Sequence, residues 1–125
     1  MSVSLVASDG RQLAVSPYSW GVLHVAVQEA HILPEDLWGP MRFNSGGALD
    51  RAQVASLRRF LRSKIARRLG KNQRMFMNGD VADLDRESAV LKHERELWKN
   101  FSLPRPVLDQ ILDFLKTAGT PLRVC

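Results

Sequence analysis

A chain of 125 residues, 45% hydrophobic and 25% charged, has the composition of one soluble globular domain spanning 1–125. At this length roughly two thirds of the unfolded surface can be buried, so the fold needs no covalent staple. The single cysteine, Cys125, excludes an internal disulfide and a Cys-rich zinc site, and no run of about 18 apolar residues marks a membrane span.

The opening MSVSLVASDGR has no basic region followed by an apolar run, which with the lone thiol leads us to expect a cytoplasmic protein. Net charge is +5, and its distribution is uneven: from Asp50 to Arg74 there are nine Lys or Arg against one acid, whereas from Met75 onward seven basic residues meet eight acidic ones.

Residues 2–16 alternate apolar and polar about Asp9-Gly10, a dipeptide suited to the positive φ of a tight hairpin turn. Val3, Leu5 and Ala7 fall on one face, with Leu13 and Val15 across from them. Ser16-Pro17 reads as a cap followed by proline at the first helical position. The helix it opens runs to about His31 and carries Trp20, Leu23, Val27 and Ala30 on one stripe, with so few polar interruptions that it is expected to be central.

After Pro34, the stretch PEDLWGPMRFNSGGALD reads as a turn, an extended piece around Met41 to Phe43 and a glycine loop. Asp50 caps the basic helix, in which Val54, Leu57, Leu61, Ile65 and Leu69 recur at helical spacing and face the core. At about 100° per residue, Arg59, Arg62 and Arg67 lie on the far side, Arg68 near the middle of the apolar stripe and Lys64 near its edge.

Gly70 to Gly79 reads as a loop. A third helix is expected over about 83–100, carrying Leu84, Leu91, Leu97 and Trp98 inward, and the SLPRP stretch breaks it. Pro106 starts a fourth helix, with Leu108, Ile111, Leu112 and Leu115 at the core and Gly119 as its cap. The tail TPLRVC alternates like a short strand able to pair with the hairpin. The expected fold is therefore α+β, mainly α: four helices with a small antiparallel sheet made of the N-terminal hairpin and the C-terminal strand.

Enzymatic motifs are scarce. His24, His31 and His93 lack partners at metal-ligand spacing, and HERE at 93–96 is not the two-histidine zinc signature. His24 reads as a satisfied or rim histidine; a small hydrolase or transferase would require His24 or His31 to meet Glu29 or Asp36 in one pocket. Asp80, Asp83, Asp85 and Glu87 lack the order of a calcium loop and read as helix-capping acids. NSGGALD resembles a phosphate-cradling loop only in its glycines, and a plain turn before a cap explains it better. Cys125 reads as an unreactive tail residue.

Three stretches resemble a loose group of small, uncharacterised bacterial proteins, some of them candidate immunity proteins against secreted toxins. They are W-x-x-L-x-x-A at Trp20, Leu23 and Ala26; N-x-G-x-x-L-x-x-x-x-V-x-x-L at Asn44, Gly46, Leu49, Val54 and Leu57; and F-L-x-x-A-G-x-P-L-R-V from Phe114 to Val124. The sequence departs from that group at the end of the first helix, where His31 and Ile32 replace a glycine and a second tryptophan, and at Gly119-Thr120 in place of a double glycine. The matched positions are mostly core and cap residues, so the resemblance implies a shared fold and transfers no catalytic residue.

Function then rests on charge. A protein-binding surface of Arg59, Arg62, Arg67, Arg68, Lys71 and Arg74 is expected to meet an acidic partner, a toxin or effector among the candidates, without enzymatic activity or cofactor. The other readings are a nucleic-acid-binding module using residues 51–74 and a merely solvated helix face. Phe60 is the only aromatic between 51 and 74, fewer than stacking on single strands would use. Exposed aromatic surface, Trp38 above all, would favour a homodimer.

Overall fold

The computed structural model describes residues 3–34, 37, 47–84 and 101–125. They do not form a mainly α, four-helix protein with one sheet: three α-helices and seven strands are described, the strands in two antiparallel sheets. In chain order these are β1 (Val3–Val6), β2 (Gln12–Val15), α1 (Pro17–Ala30), β3 (Gly47–Leu49), α2 (Arg51–Phe60), β4 (Gln73–Phe76), β5 (Val81–Asp83), β6 (Ser102–Pro104), α3 (Arg105–Thr117) and β7 (Leu122–Val124). The first sheet has the order β2-β1-β7-β3 and the second β5-β4-β6.

The first hairpin forms as its alternation predicts, with Val3 opposite Val15 and Leu5 opposite Leu13. Its turn is a three-residue loop, Ser8 to Gly10. The Ala7 N–H donates to the Arg11 carbonyl, the Gly10 N–H donates back to Ala7, and Gly10 alone takes a positive φ, 92°. β7 pairs with β1 on one side and β3 on the other, so the tail closes the sheet. Cys125, expected at a frayed end, exchanges both backbone hydrogen bonds with Ser4 at 2.8 Å. β3 lies in the expected glycine loop: three residues are too few to show a period, yet Leu49 is fully buried once β7 lies beside it.

α1 starts at the Ser16 cap, whose side chain accepts from the Tyr18 N–H, and ends at His31 in the left-handed region at φ 53°. It lies on β6, where Gly21 lets the Phe101 ring approach to 3.1 Å of the position a Cβ would occupy. α3 carries Leu108, Ile111 and Leu115 into the core and packs against α2, β2, β4 and β6, so one amphipathic helix joins both sheets.

The second sheet is the largest departure from the sequence reading. The expected 70–79 loop holds β4, and the expected start of a helix at Asp83 is β5; the remainder of that helix, with Leu91, Leu97, Trp98 and His93, lies outside the described residues. So do the Met41 to Phe43 piece, Asn44, Gly46, Asp36, Trp38, Asp85 and Glu87.

Asn78-Gly79 is a hairpin signal of the same kind as Asp9-Gly10. Phe76 donates to Asp80, Gly79 donates back to Phe76, and Gly79 has φ 92°, which repeats the first turn. Asp80 therefore shapes a turn, accepting from the Asn78 amide at 3.0 Å, and does not cap a helix. The SLPRP stretch supplies the edge strand β6, a position in which Pro104 costs no ladder hydrogen bond.

The first hairpin is tied to the end of α3 through Arg11. Its guanidinium bonds Asp9 at 3.1 Å and Thr117 Oγ1 at 3.0 Å, reaches the Thr117 carbonyl, and lies 5.7 Å from the Phe114 ring centre. Gly119 is not the helix cap, a place held by Ala118 in extended geometry. Its value is its size: a Cβ there would come within 2.5 Å of Ser8 Oγ and 3.3 Å of the Asp9 nitrogen.

Gly119→Ala is therefore expected to destabilise the fold by about 1–3 kcal/mol through overpacking, read as a lower denaturant midpoint at unchanged slope. Asp9 accepts from the Arg11 N–H and guanidinium, and this holds its carboxyl below the ordinary 3.8. A lowered folded pKa stabilises at pH above the unfolded value and stops doing so as pH falls through the folded one. The stability difference between wild type and Asp9→Asn should thus be full at neutral pH and close as pH drops below 3.8, measured by urea unfolding at a series of pH values.

Candidate partner-binding interface

Asp50 opens α2 with a reciprocal capping box. Its carboxylate accepts from the Gln53 N–H at 2.8 Å, and the Gln53 side chain accepts from the Asp50 N–H at 2.9 Å. Val54, Leu57, Leu61, Ile65 and Leu69 are all buried, as their spacing predicts. At about 1.5–3 kcal/mol for each large apolar side chain, this stripe is what fixes the helix to the body of the protein.

Beyond Phe60 the helix changes pitch. Residues 61–65 form a wide turn in which the Ala66 N–H donates to the Leu61 carbonyl, five residues back, and residues 66–68 tighten into a 3₁₀ turn. Leu69 has left the helix, at φ −120° and ψ 108°, yet is still buried. This wide-then-tight change breaks the 100° phase on which Arg68 was placed near the stripe; Arg68 is exposed, and so is Lys64.

The end of this segment is held from outside. The Arg105 guanidinium, at the start of α3, donates to the carbonyls of Ala66 (2.9 Å) and Leu69, while its Nε bonds Asp109 at 2.8 Å. One arginine thus adds a second donor to the Ala66 carbonyl, which also accepts from the Leu69 N–H, bonds the Leu69 carbonyl, and pins the end of the α2 segment to α3.

The six residues expected to form one surface do not share one face. Arg59, Arg62 and Arg67 are exposed on the helical segment, and Lys71 is exposed in the turn after it. Arg68 is exposed too, but donates to the Gly79 carbonyl at 3.0 Å, which ties it to the second hairpin. Arg74 is not on the helix at all. It stands half-buried on β4 opposite Pro104 and donates to Ser102 Oγ at 3.0 Å, so it belongs to the wall of the second sheet. The side-chain cations of Arg51, Arg59, Arg62, Arg67, Lys71 and Lys116 make no hydrogen bond or ion pair with another described residue.

Sequence reasoning missed a groove. A hollow of about 390 Å³ runs between α2 and α3, lined by Arg51, Arg58, Arg59, Arg62 and Lys116 over a floor of Val54, Ala55, Leu115, Ala118 and Thr120. A second, of about 490 Å³, continues from Arg58 and Arg62 toward Arg105, Asp109 and Asp113. Arg58 stands between the two, its Nε 3.5 Å from the Leu112 carbonyl. Arg51, Arg58 and Arg62 recur at i, i+7 and i+11, a spacing visible in the sequence; Lys116 arrives from another helix and has no such signal.

The histidines fall apart. His24 is buried within α1 and His31 is exposed at its end, with Glu29 exposed on the last turn. Among the described residues no three His, Cys, Asp or Glu side chains gather into a group that could hold a metal ion, and no helix is long and apolar enough to cross a membrane. Comparison of the chain with protein-family models, with curated proteins and with solved structures found no match.

The role of Arg105 predicts a local effect. Arg105→Ala should leave the Leu69 carbonyl without its Arg105 donor and the Ala66 carbonyl with only the Leu69 N–H, cost about 1–3 kcal/mol, and raise amide exchange in residues 66–72 more than in α1. Hydrogen-exchange mass spectrometry on the variant checks it.

Proposed function

We propose that this protein acts by binding, without catalysis, to an acidic surface of another protein, and that it neutralises a bacterial effector in the manner of an immunity protein. The observation that carries the reading is the row Arg59, Arg62, Arg67 and Lys71, exposed on one ordered segment and not engaged by the protein's own carboxylates among the described residues. Guanidinium groups presented this way match carboxylates in fork geometry and steer an acidic partner toward the segment. Arg68 is held at the Gly79 carbonyl and Arg74 at Ser102 Oγ, so neither is counted in that row. The class of partner follows from the resemblance of Trp20, Leu23, Ala26 and the Phe114 to Val124 stretch to candidate immunity proteins; its acidic chemistry follows from the charge.

Because the stripe on the opposite side of α2 does the anchoring, charge reversal should leave the fold intact. The double variant Arg59→Glu, Arg62→Glu is expected to keep wild-type thermal stability while losing at least tenfold in capture of its partner from native extract. Capture should survive nuclease treatment. Retained capture by the reversed variant, or capture abolished by nuclease, would sink the reading; the second result would assign the segment to nucleic acid, whose binding also falls steeply with salt.

A further inference from the structure

We infer that the groove between α2 and α3 is a binding site for a small phosphate-bearing ligand, centred on Arg51, Arg58 and Lys116 and sharing Arg59 and Arg62 with the exposed row proposed to meet a protein partner. The α2 segment and α3 bring five cations to one hollow of about 390 Å³: Arg51, Arg58 and Arg59 from α2, Arg62 from the wide turn that follows it, and Lys116 from the last turn of α3. Among the described residues no carboxylate lines this hollow. The neighbouring hollow is different, since Asp109 and Asp113 share it with Arg58, Arg62 and Arg105, and Asp109 is already paired with Arg105. The two ends of the groove therefore differ in electrostatic character, and an anion is drawn to the first.

Charge density selects the kind of anion. Like charges confined to one hollow repel, and a ligand that relieves them must bring several negative charges in little volume. A phosphoryl group carries about −1.5 to −2 and three acceptor oxygens, whereas a carboxylate carries one charge on two oxygens. Arginine forks match phosphate oxygens in pairs, and Lys116 adds a point charge.

The backbone of the site is fixed before binding: the Arg105 clasp ties the end of the α2 segment to α3, and Arg58 Nε lies 3.5 Å from the Leu112 carbonyl. Thr120 adds a hydroxyl at the rim. The shared use of Arg59 and Arg62 implies that a ligand in the groove weakens docking of an acidic protein on the outer row. This last consequence rests on the proposed protein-binding function; the site itself does not.

Isothermal titration of the full chain with inorganic pyrophosphate, at low salt in a phosphate-free buffer, tests the site. The expected result is saturable one-to-one binding, weakened about tenfold or more by Arg51→Ala and by Arg58→Ala and less than twofold by Lys71→Ala. Arg58→Lys, which keeps the charge and loses the fork, should show an intermediate loss, and unchanged melting temperatures of the free variants establish that they fold. Adenosine diphosphate should bind as well as pyrophosphate if the groove accepts the diphosphate of a larger molecule; inorganic pyrophosphate alone binding would identify the free ion as the ligand. Losses of equal size for Arg58→Ala and Lys71→Ala would overturn the site in favour of general charge screening. So would binding of a single-stranded oligonucleotide but not of pyrophosphate. Lys71→Ala is the variant expected to impair protein capture while leaving pyrophosphate binding in place, so failure of either reading is visible without the other.

Discussion

Burial of one apolar stripe, Val54, Leu57, Leu61, Ile65 and Leu69, organises the basic part of this protein. A segment with this many cations would repel itself and gain little from forming a helix alone. Its order comes from the other side, where the stripe meets α3 and the core. The cations are thereby held on a fixed scaffold instead of a mobile tail, and lose less freedom when they bind. The same burial explains why the helix may change pitch after Phe60 without coming loose: Leu61, Ile65 and Leu69 remain inside through the wide turn, the tight turn and the exit into extended backbone.

α3 is the second determinant. It touches both sheets, carries Arg105 to the end of the α2 segment, and supplies Lys116 and Leu115 to the groove. Its C-terminal end is in turn fixed to the first hairpin through Arg11, Thr117 and the close approach of Gly119 to Ser8 and Asp9. A continuous path of packed groups and hydrogen bonds thus runs from the N-terminal hairpin to the floor of the groove. Two arginines along it, Arg11 and Arg105, work as internal fasteners, while Arg51 and Arg59 on α2 are exposed and Arg58 lies half-buried beside the Leu112 carbonyl. Arginine content alone would not separate these roles; what separates the fasteners from the exposed arginines is whether a carbonyl or carboxylate lies within reach.

The outer row and the groove differ in what they ask of a ligand. Arg59, Arg62, Arg67 and Lys71 are exposed over thirteen residues of chain, so they suit an extended acidic surface that approaches from solvent. Arg51, Arg58 and Lys116 line a concavity, so they suit a compact anion that enters it. Arg59 and Arg62 belong to both, which makes the two occupancies electrostatically linked whatever the structural change on binding.

Local chemistry was legible in the residues. The Ser16-Pro17 and Asp50 caps, the face of the first hairpin, the α2 stripe and the strand character of the tail each depend on neighbours within a few positions, and each formed as expected. The second sheet was not legible: Gln73 to Phe76 becomes a strand because β5 and β6 pair with it, and β6 comes from nearly thirty residues away. Asn78-Gly79 was the one local sign of it. The candidate site divides in the same way. That Arg59, Arg62 and Arg67 would be exposed followed from helical period, because Leu61 and Ile65 fix the opposite face. That Arg68 is turned outward, that Arg74 sits in a sheet, and that Lys116 faces Arg51 and Arg58 across a groove depended on a change of helix pitch and on which elements meet. Period and capping are properties of a short segment and are written in it; strand partners and grooves are properties of pairs of distant segments, and only the folded chain brings those pairs together.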